Sequence, residues 1–259
     1  MDHDELPQRA ISRSVLALAA TFALSGCQLE IGDMDTVFYD GDGRSVHCAV
    51  NLDTNAQNSL ASIDSGLDRA VSRREVVELY AHSPDKSVPM ATLEHVLAGA
   101  AARGLPFVTY SAFARGEGTG PGIALSLDDS GVDRWMNARP LFLQYGAHVT
   151  FFVTRYDRMS DLDKANLRTL VGDGHELQAH SVNHLHGPEY VEAHGLGAYL
   201  DEEVLPSIDI LRADGFDVTA YAYPFGARTR ETDEAILKHV PILRSVSFSY
   251  TGVVQDACP

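Results

Sequence analysis

Four side chains in this sequence have the types and the spacing of a metal-dependent hydrolytic site. Asp128 and Asp129 close an apolar run over 123–127, and His180 and His184 stand four residues apart further along the chain. One carboxylate and two imidazoles suit a catalytic divalent ion such as zinc, and they leave coordination positions open for water and substrate. The second carboxylate would then be free to accept a proton.

The segments around these pairs favour a shared site, although each pair alone is common. An Asp-Asp pair often begins a turn or a helix, and two histidines at this spacing arise by chance among 11. However, apolar segments that predict buried strands precede both pairs, at 123–127 and 176–179, and a third at 220–223 runs into Pro224-Phe225-Gly226. Because α/β folds assemble active sites at the carboxyl ends of successive strands, we expect these residues to meet.

The strands alternate with helical segments, which predicts an α/β fold of the (β/α) barrel type. The residues before about position 79 are rich in Gly, Asp and Asn and show weak periodicity, so they predict a tether and an irregular segment. We predict strands at 106–110, 123–127, 148–154, 176–179, 218–223 and 243–248, and helices at 91–103, 132–145, 161–171, 189–213 and 230–239.

Three motifs of this sequence resemble those of a known family, the polysaccharide deacetylases with NodB homology (carbohydrate esterase family 4). They stand here as Ser126-Leu127-Asp128-Asp129, His180 to His184, and Tyr223-Pro224-Phe225-Gly226, in the family's order and at about its spacing. The resemblance covers roughly residues 79–249 and implies a distorted, incomplete (β/α) barrel. Five barrel strands fall in this region, so either the N-terminal segment supplies the missing wall or the barrel is open on that side.

The resemblance also implies a role for each site residue. Asp129, His180 and His184 would bind one divalent metal ion, with zinc the first expectation and cobalt or nickel as alternatives. Asp128 would be the general base that deprotonates the attacking water, and the backbone N–H of Phe225 would stabilise the oxyanion. The implied activity is the removal of N-acetyl groups from an amino-sugar polysaccharide such as peptidoglycan, a chitin-like chain or an exopolysaccharide.

The sequence departs from the family pattern in two places. Ala222 stands where many members have an arginine that orients the catalytic aspartate, and no histidine follows His239 to act as the general acid of the family's C-terminal motif. An alternative is therefore a catalytically impaired, lipid-anchored protein that binds glycans. A two-histidine, one-carboxylate Fe(II) oxygenase is a third, weaker interpretation, because those sites favour a closely spaced His-x-Asp pair.

The N-terminus predicts export and anchoring. Arg9 and Arg13 precede an apolar stretch at 15–24 that ends in Leu-Ser-Gly-Cys27, which resembles a bacterial lipoprotein signal with Cys27 as the lipidated residue. We therefore predict a signal peptide at 1–26, a tether and irregular segment at 27–78, and a deacetylase-like domain at 79–259. The predicted location is the cell-envelope membrane, reached through the lipid on Cys27.

Composition and the remaining cysteines agree with an exported α/β protein. The chain has 259 residues, of which 45% are hydrophobic, and a formal net charge of −16, which disfavours nucleic acid as a partner. Cys48 and Cys258 remain once Cys27 carries lipid, and in an oxidising compartment they form either one disulfide or two free thiols.

Overall fold

The strand-forming segments combine into one sheet that closes on itself. In the computed structural model, residues 30–247 and residue 258 are described; the predicted signal peptide and Cys27 lie outside them. Over the described residues the strands are β1 Phe38–Tyr39, β2 Val46–Asn51, β3 Val76–Ala81, β4 Gly122–Asp129, β5 Val149–Val153, β6 Glu176–Ala179, β7 Ala220–Ala222 and β8 Ile242–Val246.

Seven of these strands form a parallel barrel. The order runs β4, β5, β6, β7, β8, β2 and β3, and β3 pairs with β4 to close the ring, while β1 lies antiparallel to the start of β3. The N-terminal segment therefore supplies the missing wall, and the alternative of an open side is wrong.

The prediction of a tether and irregular segment over 27–78 is also wrong for the residues from 46 onward. β2, a helix and half of β3 lie there, so a domain boundary at 79 would cut through β3. The strand character was hidden because β2 and β3 carry His47 and Glu78, which are fully buried. His47 Nδ1 and Glu78 Oε1 lie 2.9 Å apart across these neighbouring strands, so each supplies the hydrogen-bond partner that burial requires.

Helices cover the outside of the barrel, and the main apolar core lies between them and the strands. The bounds are α1 Leu60–Arg73, α2 Met90–Ala102, α3 Tyr110–Ala114, α4 Val132–Tyr145, α5 Asp161–Gly172, α6 Gly187–His194, α7 Leu196–Tyr199, a π-helical turn Leu200–Val204, α8 Leu205–Ala213 and α9 Arg230–Ile236. The single helix predicted at 189–213 is thus interrupted, first at Gly195, whose φ is 89°, and then by the π turn. None of the helices in the described part of the chain is long and apolar enough to cross a membrane.

A short helix replaces the strand predicted at 106–110. Only Phe107 makes an isolated bridge, to Ile123, and α3 then begins at Tyr110. Tyr110 and Phe113 of α3 belong to a second apolar cluster with side chains of the barrel strands, including Phe152. The Tyr110 hydroxyl donates to Glu78 Oε2 at 3.0 Å, so α3 provides a hydrogen-bond partner for the second oxygen of this buried carboxylate.

A disulfide joins the two ends of the described chain. Cys48 on β2 is bonded to Cys258, 210 residues later, with their Cα atoms 5.9 Å apart. Of the two alternatives for these cysteines, the disulfide is the one that forms.

Candidate active site

The carboxyl ends of the barrel strands bring polar side chains together at one edge. β4 ends in Asp128 and Asp129, β6 leads into His180, and β7 leads into Phe225. The N-terminal strands contribute two further groups that the sequence did not point to, Asp53 after β2 and His82 after β3. This is the edge at which a parallel barrel presents its functional residues.

Asp129, His180 and His184 form a cluster that can hold a metal ion. The His184 Nε2 atom lies 3.2 Å from Asp129 Oδ1, the His180 Nε2 atom lies 3.8 Å from it, and the three candidate ligand atoms lie within 4.8 Å of one another. His180 Nδ1 is 2.9 Å from the carbonyl oxygen of Ala222 and donates to it, which leaves Nε2 as the unprotonated nitrogen. The donor set and its orientation therefore fit a divalent ion such as zinc.

The electrostatics of the two histidines favour the form that binds metal. Burial lowers the pKa of His180 well below its usual value, and the neighbouring His184 lowers it further, against the opposing effect of Asp129. Burial likewise lowers the pKa of His184, although Asp129 and Asp128 act in the opposite direction. Both imidazoles are therefore neutral near pH 7, so no proton has to leave before they coordinate a cation.

A spacing of four residues is typical of one turn of a helix, but no helical turn joins His180 and His184. The backbone from 181 to 184 is irregular, and both Ser181 and His184 have a φ of 61°. The His184 N–H donates to Ser181 Oγ at 2.9 Å, which closes the loop locally. Asp129 also has a positive φ, 85°, so the chain turns at the end of β4 as two adjacent aspartates at one site require.

Asp128 lies on the interior side of this cluster and is held by an arginine that the sequence did not single out. Its side chain is only 2% exposed, and its Oδ2 atom accepts a hydrogen bond from the Arg244 guanidinium. Asp128 Oδ1 has no hydrogen-bond partner among the described residues. One oxygen of this carboxylate is thus fixed and the other is available.

Arg244 takes the place left by Ala222. β7 and β8 are paired with Ala222 opposite Arg244, so the guanidinium comes from the neighbouring strand at the same height in the barrel. It is fully buried, and its central carbon lies 5.1 Å from the ring centre of Tyr80 and 5.0 Å from that of Phe152. Such aromatic contacts stabilise a buried guanidinium and restrict its orientation.

A second acidic–basic pair, His82 with Asp53, faces the same edge. The His82 ring donates through Nδ1 to Asp53 Oδ2, and its backbone N–H lies 3.2 Å from Asp53 Oδ1. The register of β3 and β4 pairs Ala81 with Leu127, so His82 and Asp128 follow side by side. Burial lowers the pKa of His82, but its hydrogen bond to Asp53 and the charges of Asp128, Asp53 and Asp129 together raise it to about 9. His82 is therefore protonated at neutral pH.

Phe225 lies at the rim of the cluster in a left-handed conformation, with a φ of 60°. Its ring centre is 4.7 Å from that of His184, and 57% of the residue is exposed. Gly226 also has a positive φ, 66°, and a Cβ atom there would lie 2.4 Å from a methyl carbon of Val246. The turn thus requires glycine at 226 and presents the Phe225 ring to solvent beside the histidines.

Comparisons with known proteins agree with this geometry. Residues 115–240 match a family model described as polysaccharide deacetylase. The fold is similar to that of a protein from Bacillus anthracis assigned to the same activity, with 20% identity, a TM-score of 0.55, and coverage of 66% of this chain and 57% of that one. A search of curated proteins finds no match.

Two further solved structures share the fold. One is the Streptococcus pyogenes deacetylase PplD in complex with acetate, with 21% identity, a TM-score of 0.51, and coverage of 62% of this chain and 78% of that one. The other is IcaB from Ammonifex degensii, with 16% identity, a TM-score of 0.55, and coverage of 66% and 84%. The segment matched by the family model contains Asp128 and the cluster of Asp129, His180 and His184, whereas Asp53, His82 and Arg244 lie outside it.

Proposed function

We propose that this chain, whose residues 115–240 belong to the polysaccharide deacetylase family, is a metal-dependent hydrolase that removes N-acetyl groups from an amino-sugar polysaccharide. One observation carries the proposal: a ligand cluster, a carboxylate with a free oxygen and a protonated histidine meet at one edge of the barrel. These three kinds of group can together catalyse the hydrolysis of an unactivated amide.

Asp129, His180 and His184 would hold the metal ion, with zinc as the first candidate. When bound there, such an ion supplies a water of lowered pKa and polarises the carbonyl of the acetamide. The neutral state of both histidines and the fixed Nδ1 of His180 support this assignment.

The chain's own groups account for both proton transfers. Asp128 accepts a proton from the attacking water through its free Oδ1 atom, while Arg244 holds Oδ2. The water oxygen bonds to the acetamide carbon, the C–N bond breaks, and protonated His82 donates its Nε2 proton to the departing amine. The products are acetate and an amino sugar. The backbone N–H of Phe225 is our candidate donor to the oxyanion that forms between the two steps.

The His82–Asp53 pair weakens the case for a catalytically impaired glycan-binding protein. That alternative depended on the lack of a general acid after His239. His82 offers the same chemistry from the N-terminal side of the barrel, with Asp53 as the carboxylate that orients its ring.

The surroundings of the cluster support a sugar polymer as substrate. The exposed ring of Phe225 offers an apolar face on which a sugar ring can pack. The net charge of −16 favours a neutral glycan, or one that becomes cationic as amines are released, over a polyanion. Peptidoglycan, chitin-like chains and exopolysaccharides remain the candidate glycans.

We also propose that the protein is exported and anchored to the cell-envelope membrane through lipid on Cys27, as the signal-like segment before it predicts. Metabolic labelling with a fatty-acid analogue tests this. Label should enter the wild-type chain and be lost in Cys27→Ala, which should also move to the soluble fraction.

Acetate release tests the proposed activity. The soluble form that starts after Cys27 is incubated with N-acetylglucosamine oligomers or peptidoglycan, first with added zinc or cobalt and then with a chelator. We expect release that stops on chelation, no release by Asp128→Asn although it binds metal, and loss of both metal and activity in His180→Ala. Equal metal loss in all variants would contradict the assigned roles.

A further inference from the structure

The π-helical turn Leu200–Val204 places a buried carboxylate behind the histidine loop. It interrupts the helical run between α7 and α8, and Glu203 within it is only 1% exposed. Short π-helical turns in helices are frequent at functional sites because the extra residue redirects side chains. Here the redirected side chain points at the loop 181–184, which carries the proposed metal ligand His184.

Glu203 holds this loop through three oxygen atoms, the two of its carboxylate and its backbone carbonyl. Its Oε2 atom accepts the backbone N–H of Asn183 at 2.8 Å, its Oε1 atom accepts from the Asn183 side-chain amide, and its carbonyl oxygen accepts the N–H of Val182 at 3.0 Å. The remaining oxygen of the Asn183 side chain accepts from Arg158. Asn183 is thus fixed from two sides.

The loop needs such support because of its backbone conformation. Ser181 and His184 on either side of this contact both lie in the left-handed region, with a φ of 61°. A residue other than glycine is strained in that region and persists there where the surrounding contacts over-determine its conformation. Glu203 provides those contacts for the two residues between them, 182 and 183.

We propose that Glu203 is a positioning residue that holds His184 in the conformation in which its Nε2 atom faces Asp129, and that it thereby sets the affinity of the site for its metal ion. The proposal rests on the metal site of the proposed function. Groups that orient metal ligands without touching the ion typically change metal affinity by about 10–100-fold when removed.

Glu203→Gln is the discriminating substitution because it keeps the size of the side chain and removes one acceptor. The glutamine Oε1 atom can still accept the Asn183 N–H, but its amide then faces the Asn183 amide, donor against donor. Turning Asn183 over would place its amide against Arg158 instead. The matched control is Glu202→Gln, since Glu202 is exposed in the same π turn and accepts only from Tyr190 among the bonds described here.

Two measurements test the proposal without reference to turnover. Zinc affinity is obtained by competition with a chromophoric chelator, and amide hydrogen exchange over 181–184 is followed in the metal-free protein. For Glu203→Gln we expect affinity about 10–100-fold weaker and faster exchange in this loop, with exchange in the barrel strands unchanged; Glu202→Gln should match the wild type.

Unchanged affinity and unchanged loop exchange in Glu203→Gln would overturn the proposal while leaving the deacetylase assignment intact. Conversely, a wild type that binds zinc but releases no acetate would remove the proposed function and leave the role of Glu203 standing. Should Glu203→Gln fail to fold, Asn183→Ala removes the side-chain amide that donates to Glu203, at a position that is only half-buried. Wild-type affinity and loop exchange in that variant would equally overturn the proposal.

Discussion

At the scale of single residues, the central feature is that the two oxygens of the Asp128 carboxylate differ. Arg244 holds Oδ2, whereas Oδ1 is buried and has no hydrogen-bond partner among the described groups. Holding Asp128 requires a guanidinium group beside its Oδ2 atom, whichever strand carries the arginine. Ala222 and Arg244 are register partners, and the cation can therefore come from β8 as well as from β7.

We expect Arg244→Ala to lower turnover at least 100-fold and the free energy of unfolding by about 3–5 kcal/mol, because it leaves the Asp128 carboxylate buried without its partner. For Arg244→Lys we expect turnover and stability between those of the wild type and those of Arg244→Ala, because an ammonium keeps the charge but cannot reproduce the planar contacts with Tyr80 and Phe152. Acetate release and urea unfolding measure the two effects. Arg230→Ala, at an exposed pair with Glu234, is the control that should change neither. Full activity in Arg244→Ala would contradict the positioning role.

His82→Gln should lower kcat by about 100–10,000-fold, the usual range for the loss of a general acid, and should leave zinc affinity unchanged. Asp53→Asn should have a smaller effect of the same kind, because it removes the partner that orients the ring. His95→Gln is a matched control, since His95 and Asp64 form a similar pair, 3.2 Å apart, on the surface. Loss of zinc binding in His82→Gln would instead indicate that His82 is a ligand.

The same histidine predicts a pH dependence of stability in the metal-free protein. The pKa of His82 is about 9 in the folded state, above the usual 6.5, so its contribution is fully present below about pH 6.5 and is lost as the pH rises through about 9. The loss is on the order of 3 kcal/mol. Urea unfolding between pH 6 and 10 measures it, and His82→Gln should flatten the curve in this window. Parallel curves for the two proteins would refute the raised pKa.

At the scale of elements, the sequence indicated the central part of the barrel and left open whether the N-terminal segment closes it. The strands at β4 to β8 have apolar runs with polar residues at their carboxyl ends, and the predicted ligand cluster follows from them. β2 and β3 escaped because His47 and Glu78 satisfy each other only across neighbouring strands, a contact that no local pattern reveals. The same holds for Arg244, whose partner is distant in sequence. The His82–Asp53 pair was missed because the resemblance implies a general acid near the C-terminus, whereas these residues follow β2 and β3 in the N-terminal part of the chain.

Tyr110 of α3 tests how much a hydrogen bond to the buried Glu78 contributes to stability. In Tyr110→Phe, Glu78 loses the hydroxyl that donates to its Oε2 atom, and a hydrogen bond to a charged group contributes about 1.5–3 kcal/mol. We expect the free energy of unfolding to fall by that amount in urea, with zinc affinity unchanged. Ser72→Ala, which removes an outlying hydroxyl contact on α1 to Arg69, should have little effect. A shift in zinc affinity would show that α3 also acts on the site.

At the scale of the whole molecule, the site depends on both ends of the barrel sequence. Asp53 and His82 come from the N-terminal strands and Arg244 comes from the last strand, while the ligand cluster lies between them in the chain. β2 and β8 are paired, and this pairing, the seam of the barrel, joins the first and last parts of the barrel sequence. A fold opened at this seam would separate Arg244 from Asp128, whereas the pairing of β3 with β4 would keep His82 beside the ligands.

The disulfide Cys48–Cys258 bridges this seam and should stabilise it. It links residues 210 positions apart, and cross-links over loops of this size contribute about 2–5 kcal/mol, chiefly by limiting the unfolded chain. We expect the double variant Cys48→Ser, Cys258→Ser to unfold at lower urea concentration than the oxidised wild type, and reductant to shift the wild type but not the variant. Below its unfolding transition the variant should keep its zinc affinity, because the proposed ligands lie at the end of β4 and in the segment that follows β6, away from the disulfide. If zinc affinity fell while the fold persisted, the pairing of β2 with β8 would help to position the metal ligands, and metal binding would therefore depend on closure of the barrel.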